Sequence, residues 1–199
     1  MRPIPTTGGS FEAALERLAA LQPRPEFALQ EAPAPQRLAP CTVAMTADMA
    51  DPDSDLVSGR FVLLHDPDGV DEWDGSFRAV VFVRAELEGD LREDELLHDV
   101  GWSWVLEALD VRQCSVTQVG GTVTRTTGRS FGTMAERPAD GFVEIRASWT
   151  PREDESGALV DDIAEHAGAW LDLMAHAAGM PPLPAGIATV HSRRARIRS

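Results

Sequence analysis

Between Asp99 and Asp110 the chain reads Asp-Val-Gly-Trp-Ser-Trp-Val-Leu-Glu-Ala-Leu-Asp, and no other stretch limits the possible folds so sharply. On a helical period Asp99, Ser103, Glu107 and Asp110 make one narrow polar stripe. Leu97, Val100, Gly101, Trp104 and Ala108 lie to one side of it, and Trp102, Val105, Leu106 and Leu109 to the other. A helix apolar over so much of its girth is predicted to be buried against a sheet or other helices, because its two indoles alone carry roughly 150–250 Å² each. This marks a core and not a reaction centre.

The flanking segments give that helix something to cover. Ser10 is a candidate cap for a short helix through Leu21, with Phe11, Leu15, Leu18 and Leu21 on one face. From Gln22 to Pro40 recurring prolines predict an extended arm with at most a short edge strand at Phe27 to Gln30. Cys41 to Ala47, Arg60 to His65 and Phe77 to Leu87 read as strands. In the third, Phe77, Ala79, Val81, Val83, Ala85 and Leu87 share a face, while Arg78, Arg84 and Glu86 take the other with Val80 and Phe82. Asp90 and Glu93 are spaced as a capping box ahead of the central helix.

Ser115 to Thr127 and Phe142 to Trp149 follow as strands, with Gly120-Gly121 a bulge or a close backbone approach. A last helix spans about Leu159 to Ala178, striped by Val160, Ile163, Ala167, Trp170, Leu171 and Met174 and ended by Gly179. The order α-β-β-β-α-β-β-α, with strands in runs, predicts an α+β fold: an antiparallel sheet of about five strands with helices packed mainly on one face. The chain reads as one domain, residues 1–199, with the proline-rich arm at 22–40 and an extended basic tail at 183–199.

Composition narrows the class. No apolar run approaches the roughly 20 residues of a membrane span. With only two cysteines, Cys41 and Cys114, no disulfide framework is implied, and a cytoplasmic location is expected. The formal net charge is −14, although Arg193, Arg194, Arg196 and Arg198 crowd the last seven positions. A body this acidic repels phosphate backbones, so nucleic acid is expected to bind only through that tail, if at all.

In element order the chain resembles type III secretion chaperones and the YbjN-type proteins similar to them, which are small, acidic and often dimeric. Sequence motifs point elsewhere: Arg24-Pro25-Glu26, Leu38-Ala39-Pro40, Gly59-Arg60 leading to Leu64-His65-Asp66-Pro67, Val100-Gly101-Trp102-Ser103-Trp104, Gly120-Gly121-Thr122-Val123-Thr124, Glu144 to Pro151, and Ala178-Gly179-Met180-Pro181-Pro182. With these the chain resembles, over nearly its whole length, domain-of-unknown-function family 3000 of high-GC Gram-positive bacteria. The resemblance implies a cytoplasmic bacterial protein and carries no activity with it.

Candidate constellations are incomplete. The acidic loop 66–75 lacks the spacing of a calcium-binding EF-hand, its glycine falling fourth instead of sixth, so a solvated hairpin is favoured over a looser divalent site; loop 48–55 is acidic without a motif. Asp94/His98, Asp162/His166 and Asp172/His176 stand four apart on predicted helices and are expected to be surface ion pairs, not half of a metal site. The glycines from 120 to 132 match neither a P-loop nor a dinucleotide loop. Arg146, between Glu144 and Ser148 on the outward face of its strand and with Arg125 on a paired strand, is a cross-strand ion network if that face is open and an anion clamp if a cleft covers it.

These observations favour a non-enzymatic acidic binding, adaptor or chaperone-like protein that meets a protein partner and forms a homodimer, with no cofactor, metal or catalytic residue assigned. The alternative is a ligand-binding domain or enzyme whose pocket gathers Trp102, Trp104, Arg146, His65 and Glu144. A second alternative is an RNA-associated accessory protein using the Arg193–Arg198 tail.

Overall fold

The computed structural model describes residues 9–181 except 36, 88 and 137–139. The basic tail with Arg193, Arg194, Arg196 and Arg198 lies outside the described residues, as do the side chains of Ser10 and Asp90 expected to cap helices. In chain order the elements are α1 (Gly9–Ala19), β1 (Phe27–Ala32), β2 (Cys41–Met49), β3 (Val57–Val70), β4 (Gly75–Glu86), α2 (Leu97–Val111), β5 (Val116–Gly128), β6 (Asp140–Pro151) and α3 (Ile163–Ala177).

All six strands join one antiparallel sheet in the order β1-β2-β3-β4-β6-β5. The α+β class and the antiparallel sheet are as expected; the strand count is six, not about five. The added strand is β1, which claims Phe27–Ala32 from the proline-rich arm. Prolines at 23, 25, 33 and 35 stand outside the paired residues, so none removes a ladder donor, and β1 takes the sheet edge.

Alternation decides which side the helices cover. Phe61, Leu63, Phe77, Ala79, Val81, Val83, Val143, Ile145 and Trp149 are buried toward the helix layer. The centre of that layer is α3, not the double-tryptophan helix. Residues from Ile163 to Ala177 are buried around most of the girth of α3, and it packs on β3 and β4 with α1 and α2 beside it. Gly59 of β3 permits the approach: a Cβ there would meet Met174 Sδ at 2.6 Å and Trp170 Nε1 at 2.8 Å.

The α2 helix lies instead over β5 and β6, with Leu97, Gly101, Val105, Ala108 and Leu109 buried. Trp102 and Trp104 are half-buried flanks of that face, and Leu96, Val100, Leu106 and Val111 are exposed beside the expected polar stripe. Its start is Leu97; the expected capping box Asp90–Glu93 falls instead at a 3-10 turn, Gly89–Arg92.

Polar side chains fasten the layer at its margins. Arg112, just past α2, donates to Asp172 (2.7 and 3.2 Å) and Glu165 (3.2 Å) of α3 and lies over Gly168. Asp162 caps α3 by accepting from the Ala164 N–H at 3.0 Å and pairs with Arg17 of α1 at 3.6 Å. Arg24 is buried, grips Glu26 through two 3.1 Å bonds and donates to the Pro181 carbonyl at 3.3 Å, tying the exit from α3 to the head of β1. That contact holds Glu26 below the ordinary carboxylate range.

The expected aspartate–histidine pairs do not form, because their carboxylates are engaged elsewhere. Asp94 accepts from the Leu96 N–H, Asp162 caps its helix, and Asp172 holds Arg112. His166 is instead a core residue, 1% exposed, whose Nδ1 accepts from Trp149 Nε1 at 3.1 Å. Burial pushes it from 6.5 down to about 4. Between those values the unfolded chain takes up a proton that the folded chain refuses, so stability falls as pH drops through that window and levels off below it. We expect a loss of about 2–3 kcal/mol from this group between pH 7 and pH 4. Urea midpoints of the wild type against His166→Asn across that range check it; parallel curves would contradict it.

Among the described residues no helix is long and apolar enough to cross a membrane, and none of their groups of three or more His, Cys, Asp or Glu could hold a metal ion.

Candidate binding face

The same alternation that sends apolar residues into the helix layer sends a different set outward. On β4 the outward residues are Arg78, Val80, Phe82, Arg84 and Glu86; on β3 they are Ser58, Arg60, Val62 and Leu64; on β6 they are Glu144, Arg146 and Ser148. Register places Arg60, Phe82, Arg146 and Thr122 in one row across four strands, and Ser58, Arg84, Glu144 and Thr124 in the next. Phe82 therefore stands between two arginines, with a third two residues along its own strand.

Among the described residues no helix covers this face. Its β1–β3 end is sheltered by the segment after β1: Ala34 and Ala39, with Ala32, Trp73 and Val80, pack on Ala44, Val62 and Leu64. No other described segment lies on it, and Arg84 and Arg146 are exposed.

The four arginines differ in what holds them. Arg78 is structural: it donates to the Gln118 carbonyl (2.9 Å), Thr150 Oγ1 (3.1 Å) and Ser148 Oγ (2.7 Å), pinning the bulge where the β5–β6 register shifts between Thr117 and Gly120. Desolvation lowers its pKa from the usual guanidinium value. Arg60 donates to the Pro33 carbonyl and so anchors the covering segment.

Arg146 lies 5.4 Å from the Phe82 ring centre and pairs with Glu144 of its own strand at 2.8 Å. Arg84 sits 3.5 Å over the Phe142 ring and forms no ion pair among the described residues. It reaches into a cleft of about 600 Å³ at one end of the face, lined also by Asp48, Ser58, Glu86, Thr126 and Phe142.

The candidate residues divide between the two sides of the sheet. Arg146, exposed, and Glu144, half-buried, share the open face as an ion pair and not a covered clamp. Arg125 does not join them: it pairs in register with Val143, shares the helix side, and donates to the Asp94 carbonyl. Trp102 and Trp104 belong to the helix layer, over β5 and β6.

His65 is 3% exposed, stacked between Phe77 (4.2 Å) and Phe11 (5.6 Å), and burial lowers its pKa against the opposing pull of Glu153 and Asp66. The five residues expected to gather in one pocket therefore line no common cavity. The face of Arg84 follows from the strand period; that it forms no ion pair among the described residues does not.

Cys114 is half-buried and pushed up to about 12, chiefly by desolvation with nearby Asp161 and Glu165 adding, so it is a neutral thiol and a poor nucleophile.

No curated protein and no solved structure matches the chain, so the likeness to type III secretion chaperones stays a likeness of element order. One family model does match, over residues 7–188, and it is described as protein of unknown function (DUF3000). It takes in every helix and strand of the described residues together with the open sheet face, and the chain belongs to that family.

Proposed function

We propose that the protein is a non-enzymatic binding or adaptor protein of the bacterial cytoplasm that meets its protein partner with the open face of the sheet. The observation carrying this reading is the Arg60–Phe82–Arg146 row with Arg84 beside it, which forms no ion pair among the described residues, on a face that no described helix covers. Arginine and aromatic side chains are the types that concentrate binding energy at protein interfaces, because both bury much area and arginine adds directed hydrogen bonds. The face is also less acidic than the chain as a whole: its outward strand residues include Arg60, Arg78, Arg84 and Arg146 against Asp48, Glu86, Asp140 and Glu144, while the whole chain has 18 basic and 32 acidic residues.

The test is capture by crosslinking in cells that encode the chain, comparing wild type with Arg84→Glu/Arg146→Glu. Both positions are exposed, so the double variant folds. Loss of the captured protein at least about tenfold supports the reading. Undiminished capture by the variant contradicts it.

A homodimer is the second reading, and it uses a different surface. Leu96, Val100, Leu106 and Val111 leave apolar area open on α2, between 38% and 67% exposed, and monomeric proteins expose such area sparingly. Sedimentation of wild type against Val100→Glu/Val111→Glu distinguishes a dimer built there from a monomer.

A further inference from the structure

At the opposite margin of the sheet, β1 has β2 on one side and no strand on the other among the described residues. Its helix-facing residues are Phe27, Leu29 and Glu31, set opposite Met49, Ala47 and Met45 of β2. Alongside runs a groove of about 550 Å³ between this edge and α1, walled by Leu15, Leu18 and Ala19 of the helix and Leu29, Val43 and Met45 of the sheet. An uncovered edge presents a row of main-chain donors and acceptors that only another extended chain can satisfy along its length. An apolar groove beside such an edge takes every second side chain of that added strand.

The charges at the groove select among extended chains. On α1, helical spacing sets Glu12 and Glu16 on the same flank as Leu15 and Ala19. The sole basic residue of α1, Arg17, falls on the other flank and is engaged with Asp162. Glu31 stands at the groove itself, and Glu12, Glu16 and Glu31 form no ion pair among the described residues. Three carboxylates beside an apolar slot attract cations and repel acidic segments.

We infer that the β1–α1 groove is a peptide-binding site that accepts a segment of a partner protein as an added edge strand, alternating apolar with polar residues and carrying arginine or lysine. This site is independent of the open face and does not rest on the reading given above.

The test is selection of phage-displayed random peptides against the full chain, followed by hydrogen exchange on the complex. Enriched peptides are expected to alternate apolar residues and carry basic ones. Their affinity is expected to fall about tenfold in Glu16→Lys/Glu31→Lys and to weaken with salt. Main-chain amides of residues 27–32 are expected to slow on binding, while Arg84→Glu/Arg146→Glu binds as wild type does.

Four results overturn the inference. They are the absence of enriched peptides, affinity indifferent to the two carboxylates, protection confined to the open face, and full protection of residues 27–32 in the free chain, which would mean that the chain covers its own edge.

Discussion

Replacing Trp170 with alanine is expected to remove about 3–5 kcal/mol of stability, the cost of a large cavity in a core that cannot close over it. The side chain is 0% exposed. Its ring is tilted at 39° on Phe61, 5.9 Å between centres, and its Nε1 donates to the Phe82 carbonyl at 3.4 Å. It stands over Gly59 beside fully buried Met174, so the removed indole leaves rigid strand below and closely packed helix on either side. Guanidinium unfolding should show the midpoint falling with little change in slope. Trp104→Ala, at a half-buried flank of α2, is expected to cost less. If Trp104→Ala proves the more damaging, α3 is not the centre of the helix layer.

The second large effect is expected at Gly121. A Cβ at this residue would lie 2.2 Å from the Arg146 carbonyl oxygen and 2.9 Å from Ala147 Cα, and it would meet Trp102 Cζ3 at 2.9 Å. Two of those three atoms are main chain of the neighbouring strand, which no rotamer change can move aside. Gly121→Val is therefore expected to cost more than about 3 kcal/mol and to detach β5 from β6 along residues 121–128. Gly120, its neighbour, has nothing within 4 Å of its would-be Cβ. Gly120→Val should stay within about 1 kcal/mol of wild type. Equal losses at the two positions, read by denaturation and by exchange of the β5 amides, would contradict this close approach.

These two sites show what was legible in advance and what was not. Strand period alone sorted β4 correctly, because Phe77 to Leu87 alternates without a break and leaves Arg78, Phe82 and Arg84 outside. The Gly120-Gly121 pair advertised a bulge or close approach, and both a register shift and a close approach are present.

The rank of the helices was misread, because two tryptophans weigh heavily in any count of apolar area. What lets a helix sit close to a sheet is small residues at the contact, here chiefly in the strand. In α3, Ala167 shares the sheet-facing side with Trp170 and Met174, Gly59 of β3 leaves room for those two side chains, and Gly168 on another side admits Arg112, whereas the α2 indoles stand at the flanks of its contact face.

The site was harder still. Faces follow from local spacing, but which residues meet depends on strand order, and β6 inserts between β4 and β5. Arg125 could be excluded from the Arg146 face by its shared parity with Val123, a half-buried residue packed against the core. His65 and His166 could not be placed in the core from residue type, since their neutrality there is a product of tertiary burial. Nor does spacing reveal that Arg84 lies on Phe142 without a carboxylate while Arg146 has Glu144.

The proposed contact with the partner lies on the side of the sheet that no described helix covers. Backbone and methyl NMR of the chain titrated with its captured partner tests this most directly. The shifts should gather at Arg60, Val80, Phe82, Arg84, Arg146 and Ser148 and leave the exposed flank of α2 unmoved. Shifts confined to α2 and α3, with that arginine–phenylalanine row unchanged, would contradict it.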